Sequence, residues 1–197
     1  MRNILLVGWL VLPIGAWAYH EGPGQDLVAL EDADVVIQAA HDAAADGEWT
    51  TAIAKYNDAI ALLPDNPDAR DESLSQRLRL ELNKARMQAA GLPVAREELE
   101  TLVEQMQEDG SDAQLLGEAR EQLARAQFYT TWLMRLEGQD RTRWEPEIEA
   151  ARQNWRLLAE QSTDGKSKLR HQEDLEAAVR LGRLEIEDLQ GLPLPGE

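Results

Sequence analysis

The chain reads as an all-α protein of about seven helices, and three observations predict this. From Leu27 to about residue 190, apolar residues recur every three or four positions, and no stretch alternates as a strand would. Ala, Leu, Glu, Gln and Arg dominate there while Val, Ile and Thr are sparse, as helix propensity favours. Glycines and prolines fall mostly where the periodic segments end.

The first helix is expected from about Val28 to Asp46, stopped by Gly47. The second runs from about Thr50 to Leu63 and is closed by Pro64, with Asn66-Pro67 as a fresh start signal. The third spans about Ala69 to Ala90 and ends at Gly91. Pro93 opens the fourth, which stops near Asp109-Gly110. Ser111 to Gln114 fits a capping box before a long fifth helix that reaches Leu136 and stops at Gly138. After an insertion, "GQDRTR", the sixth is expected from around Trp144-Glu145-Pro146 to Thr163-Asp164-Gly165. The seventh covers about Leu169 to Leu189, and "GLPLPGE" (191–197) is an extended tail.

The opening "MRNILLVGWLVLPIGAWA" carries Arg2, an apolar run from Ile4 to Ala18, and the small-x-small pattern Ala16-Trp17-Ala18. These are the parts of a secretory signal peptide over 1–18, with cleavage expected after Ala18. An uncleaved anchor is the alternative. The run is broken by Gly8, Pro13 and Gly15 and falls short of the roughly 20 residues that span a bilayer. The mature chain then starts at Tyr19 outside the cytoplasm, in a bacterial periplasm, with 19–26 as a flexible leader and 27–190 as the helical domain.

The formal net charge is −17, which disfavours nucleic acid and anionic membrane surfaces, because phosphates would be repelled. A basic protein partner suits it better. The acids are uneven: residues 19–66 hold ten Asp or Glu against Lys55 alone, whereas 113–170 hold ten Lys or Arg against nine acids. The front end either steers a basic partner or solubilises the surface. With no cysteine, disulfides, thiolate nucleophiles and sulfur metal sites are excluded. His20, His41 and His171 lie on separate segments without metal-ligand spacing, and no glycine-rich phosphate loop or nucleophile elbow occurs. "EDAD" at 31–34 lacks the spacing of a calcium loop. No cofactor, metal or catalytic residue is assigned.

Residues 33 to 66 closely resemble a tetratricopeptide repeat. Val36, Ala39, Ala40 and Ala43 occupy the packing positions of its first helix. Gly47 and Trp49 match its turn, and Ala52, Tyr56, Ala59 and Pro64 match its second helix and stop. Alanines let two backbones approach while the aromatic ring fills the gap behind them. The second-helix pattern recurs more loosely as Ala95-Leu99-Leu102, Ala151-Trp155-Leu158 and Ala177-Leu181-Leu184, at irregular separations. The resemblance implies antiparallel hairpins stacked as a right-handed solenoid, with degenerate hairpins after the first, and a concave face that holds a peptide or protein. By that register Asp34, Ile37, His41 and Ala44 on the first helix are candidate contacts.

A second candidate face lies on the fifth helix. Glu121, Arg125, Phe128, Trp132 and Arg135 share one stripe, while Leu116, Ala119, Leu123, Ala126, Thr130 and Leu133 form an ordinary core stripe. Such a helix is either sandwiched between neighbours or offers one face to a partner, and aromatic residues with Arg are typical of interaction hot spots. The competing reading buries Phe128 and Trp132 and pairs the arginines with local glutamates. Trp144 and Trp155 are expected near this stripe.

The function expected from this reading is an exported scaffold or adaptor binding another protein, without catalysis, in assembly or maturation of an envelope complex. Alternatives are a helical periplasmic hydrolase with a Glu general acid, which needs a raised carboxyl in a cleft, and a holdase-type chaperone.

Overall fold

Each helix forms where an apolar stripe meets a turn that can satisfy its last carbonyls. The computed structural model describes residues 23–64 and 69–185. The expected signal peptide, the start of the leader, the Asn66-Pro67 signal and the tail 191–197 lie outside the described residues. The described residues form α1 (Pro23–Ala45), α2 (Trp49–Ala61), α3 (Ala69–Gln88), α4 (Leu92–Glu108), α5 (Ala113–Leu136), α6 (Arg141–Gln161) and α7 (Gly165–Leu181), with no strand among them. Where the sequence reading runs one helical domain over 27–190, the chain divides into two compact units at Leu78/Arg79, inside α3. Consecutive helices pack on one another: α1 with α2, and α4 through α7 in order.

In the first unit, α1 begins at Pro23 rather than Val28, so part of the expected leader is helical. It ends at Gly47, whose φ is +75°. There Gly47 N donates to Ala44 O (3.1 Å) and Glu48 N to Ala43 O (2.8 Å). This doubly bonded left-handed stop reverses the chain at little steric cost only with glycine. The α1–α2 hairpin then buries Ala40, Ala43, Ala52 and Ala59 around Tyr56, which is 2% exposed. Val36, Ala39, Trp49 and Pro64 are half-buried.

The second unit is organised about α5. One face, Leu115, Ala119, Leu123 and Ala126, packs with Leu80 of α3 and with Leu99, Leu102, Val103 and Met106 of α4. The opposite face, Ala124 and Phe128, packs with Trp144, Ile148, Ala151, Trp155 and Leu158 of α6 and Ala177, Ala178 and Leu181 of α7. Thus the loose pattern residues of α4, α6 and α7 from Ala95 to Leu181 are all buried, while Leu184 is half-buried. Each large side chain removed from water stabilises by about 1.5–3 kcal/mol. Arg96 of α4 also reaches α6, donating from Nε to Glu147 (3.0 Å) and from Nη1 to its own neighbour Glu100 (2.8 Å).

Several boundaries move for physical reasons. The cap of α5 is Asp112, whose carboxylate accepts from Leu115 N at 2.9 Å, while Gln114 turns to Glu118. An anion at this position also meets the positive end of the helix dipole, which Ser111 cannot exploit. The insertion is partly helical: α6 starts at Arg141 and carries Pro146 in its interior. Proline there forgoes a hydrogen bond, and the burial of Trp144 one turn into the helix offsets that loss. Asp164 caps α7 by accepting from Ser167 N (2.8 Å), so α7 starts earlier than Leu169 and ends at Leu181.

The end of α3 departs from expectation in a revealing way. The left-handed residue is Ala90, with φ of +60°, not Gly91. Gly91 N donates to Arg86 O at 2.7 Å, and a Cβ at position 91 would sit 3.0 Å from that same oxygen. The glycine is consumed by close approach, and Ala90 carries the strained turn.

Ala90→Gly is therefore expected to stabilise the protein by about 1 kcal/mol, read as a raised denaturant midpoint. Tyr56→Ala empties the space between the alanines of α1 and α2 and is expected to cost about 3–5 kcal/mol in the same assay.

Candidate functional site

The stripe on α5 carries two expectations, a docking face or a core-facing stripe whose arginines pair with local glutamates, and its side chains are largely engaged in packing. Phe128 is 1% exposed in the core shared with α6 and α7, and Trp132 is half-buried against that core. Arg135 is buried: its guanidinium donates to the carbonyls of Leu181 and Leu184 at the end of α7 and lies 4.8 Å over the Trp144 ring. Burial lowers its pKa, with Glu185 opposing the shift. A cation on the orphan carbonyls of a helix C-terminus is favourable twice, through hydrogen bonds and through the dipole. Arg125, half-buried, pairs with Glu121 at 3.2 Å. Phe128 and Arg135 are thus withdrawn from any partner, because they form the seam between α5, α6 and α7. Among the expected core residues of the other stripe, Leu133 is instead 45% exposed.

The same seam gathers polar groups that sequence reasoning left apart. Glu121 of α5 faces Arg125 Nη2 (3.2 Å), Arg170 Nη2 (3.2 Å) and His171 Nε2 (3.4 Å). On the other side of the imidazole, Nδ1 lies 2.9 Å from Ser162 Oγ, which also lies 2.7 Å from Leu158 O. The single hydroxyl proton serves one of these at a time. Trp155 stacks on the His171 ring, centroids 6.1 Å apart. Asp174, one turn on from His171, is 5% exposed, and its Oδ2 meets no hydrogen-bond donor among the described residues. Burial pushes its carboxyl pKa up, Arg125 opposes the shift and Glu121 adds to it.

Ser162, His171 and Glu121 follow the hydrogen-bond order of a nucleophile, a base and an orienting carboxylate. Their setting is that of a tether. Ser162 is the C-terminal cap of α6, where carbonyl oxygens converge and a developing oxyanion would face the negative end of the helix. The row binds α7 to α5 and α6. It spans about 50 residues of sequence, so no local motif could have announced it. The stripe reading did contain Glu121 and Arg125, its two members on α5.

On α1, Asp34 and His41 are exposed and Ile37 and Ala44 are half-buried. The His41 ring meets Tyr56 edge-on, with centroids 5.8 Å apart. Asp42, Asp46, Glu48 and Asp58 are also exposed, and Lys55 lies 3.7 Å from Asp58. Among the described residues, no group of three or more His, Asp or Glu side chains is placed to hold a metal ion, and no helix is long and apolar enough to cross a membrane. Compared with protein-family models, curated proteins and solved structures, the chain matches none.

Arg135→Met keeps the aliphatic stem and removes the donors to α7. It is expected to cost about 2 kcal/mol in thermal denaturation, whereas Arg156→Ala, at an exposed position on α6, should stay within about 0.5 kcal/mol of wild type.

Proposed function

We propose that the chain is an exported, tetratricopeptide-like scaffold that binds another protein and catalyses no reaction. The observation that carries this reading is the burial pattern of the α1–α2 hairpin. Ala40, Ala43, Ala52, Ala59 and Tyr56 are all buried, and these are positions at which the repeat resemblance requires close helix contact. Export rests on the charged, apolar and small-residue succession within 1–18.

With the α5 stripe taken up in packing, the α1 face is the candidate contact surface. Asp34 and His41 stand exposed beside the half-buried Ile37, one polar pair flanking an apolar point. The exposed acids of this hairpin suit a basic partner, whose encounter would be accelerated by the field. A role in assembly or maturation of an envelope complex follows from analogy to the repeat family alone. The hydrolase alternative needs a raised carboxyl within reach of a substrate, and the raised carboxyl, Asp174, is buried.

The test is cross-linked co-purification from the envelope, then titration of the recovered partner against purified variants. Asp34→Lys combined with His41→Ala is expected to weaken binding at least about tenfold while leaving the thermal midpoint near wild type. Unchanged affinity would remove α1 from the contact, and a hydrolytic activity toward peptidoglycan or peptides would displace the scaffold reading.

A further inference from the structure

The polar seam holds two carboxylates and one set of donors. Glu121 takes Arg125 Nη2, Arg170 Nη2 and His171 Nε2, while Asp174 Oδ2 is buried without a donor. We propose that α7 is a proton-linked element of the fold: Asp174 seats it fully only while its carboxyl carries a proton, and ionisation loosens α7 from α5 and α6. The proposal is independent of the scaffold reading.

The charged groups that face Asp174 are known from each packed element. Helix α5 presents Arg125 and Glu121, and α7 itself presents Arg170 and His171. Helix α6 contributes Ser162 and the Trp155 indole to this cluster, neither of which ionises in the relevant range. Arg125 favours the ionised form, but its Nη2 is already given to Glu121 and its Nε is buried without a partner. An ionised Asp174 is then a desolvated anion beside a second anion, and no donor reaches its Oδ2. A protonated Asp174 is neutral and removes that repulsion.

The sign follows from linkage. Burial raises the pKa of Asp174 in the folded state, so the folded state holds this proton more tightly than the unfolded chain. The stabilisation is full below the unfolded-state pKa and is lost as pH rises through the raised folded value. Loosening begins at α7, because the segment 165–181 carries Asp174 and His171, and the Arg135 clamp on Leu181 and Leu184 is released with it.

Amide hydrogen exchange on the full chain, corrected for the intrinsic pH dependence of exchange, reads this directly. As pH rises from about 4, the ordinary carboxyl range, to about 8, protection of α7 amides should fall about tenfold relative to α4 and α5. Asp174→Asn should abolish that relative fall. Glu121→Gln, which frees the two arginines for Asp174, should also reduce it and serves as the reading should the first variant not fold. Protection of α7 that tracks α4 and α5 at every pH, or an undiminished relative fall in both variants, would overturn the proposal.

Discussion

Leu123 and Phe128 sit five residues apart on α5 and are buried among different neighbours, one with α3 and α4, the other with α6 and α7. A helix so placed has to carry apolar side chains around most of its circumference. This constraint governs the second unit. Alanine at 119, 124 and 126, each 0% exposed, lets neighbours approach on both sides, and the large residues fill what remains. Some of the polar side chains on α5 find partners inside the seam. Gln127 accepts from Asn154 of α6 at 3.0 Å, and Thr131 donates back to Gln127 O at 2.9 Å.

The arginines show how the seam manages charge. Arg135 satisfies the open end of α7 and rests on Trp144, so a buried cation replaces water at carbonyls that would otherwise be orphaned. Arg120, 5% exposed, has its pKa lowered by burial alone. Glu121 collects Arg125, Arg170 and His171, while Asp174 Oδ2 is left without a donor. Buried ionic clusters often balance poorly because desolvation is large and donors are few.

The first unit solves a simpler problem. Two short-side-chained helix faces meet, Tyr56 fills the residual space, and the left-handed turn at Gly47 sets the reversal. Acids occupy the outer positions, where water solvates them. Exposed Val35, at 72%, stands among them as a single apolar point and is ordinary for a protein surface.

The sequence by itself determined the all-α class, the approximate count of helices, the stops at Gly47 and Gly138, and the burial of Ala40, Ala43, Ala52 and Ala59 in the first hairpin. It also located the buried triplets Ala95-Leu99-Leu102 and Ala151-Trp155-Leu158. These are local properties: helical period, propensity and glycine's access to positive φ act within a turn or two of chain. Tertiary structure alone decided that the Phe128–Arg135 stripe faces inward while Leu133 is exposed, because both stripes have apolar content and only the neighbours choose between them. It decided that Trp144 draws Pro146 into a helix and that close approach at Gly91 passes the left-handed turn to Ala90. The meeting of Glu121, Ser162, His171 and Asp174 was likewise invisible beforehand, since groups tens of residues apart share no periodicity and are joined only when α7 docks.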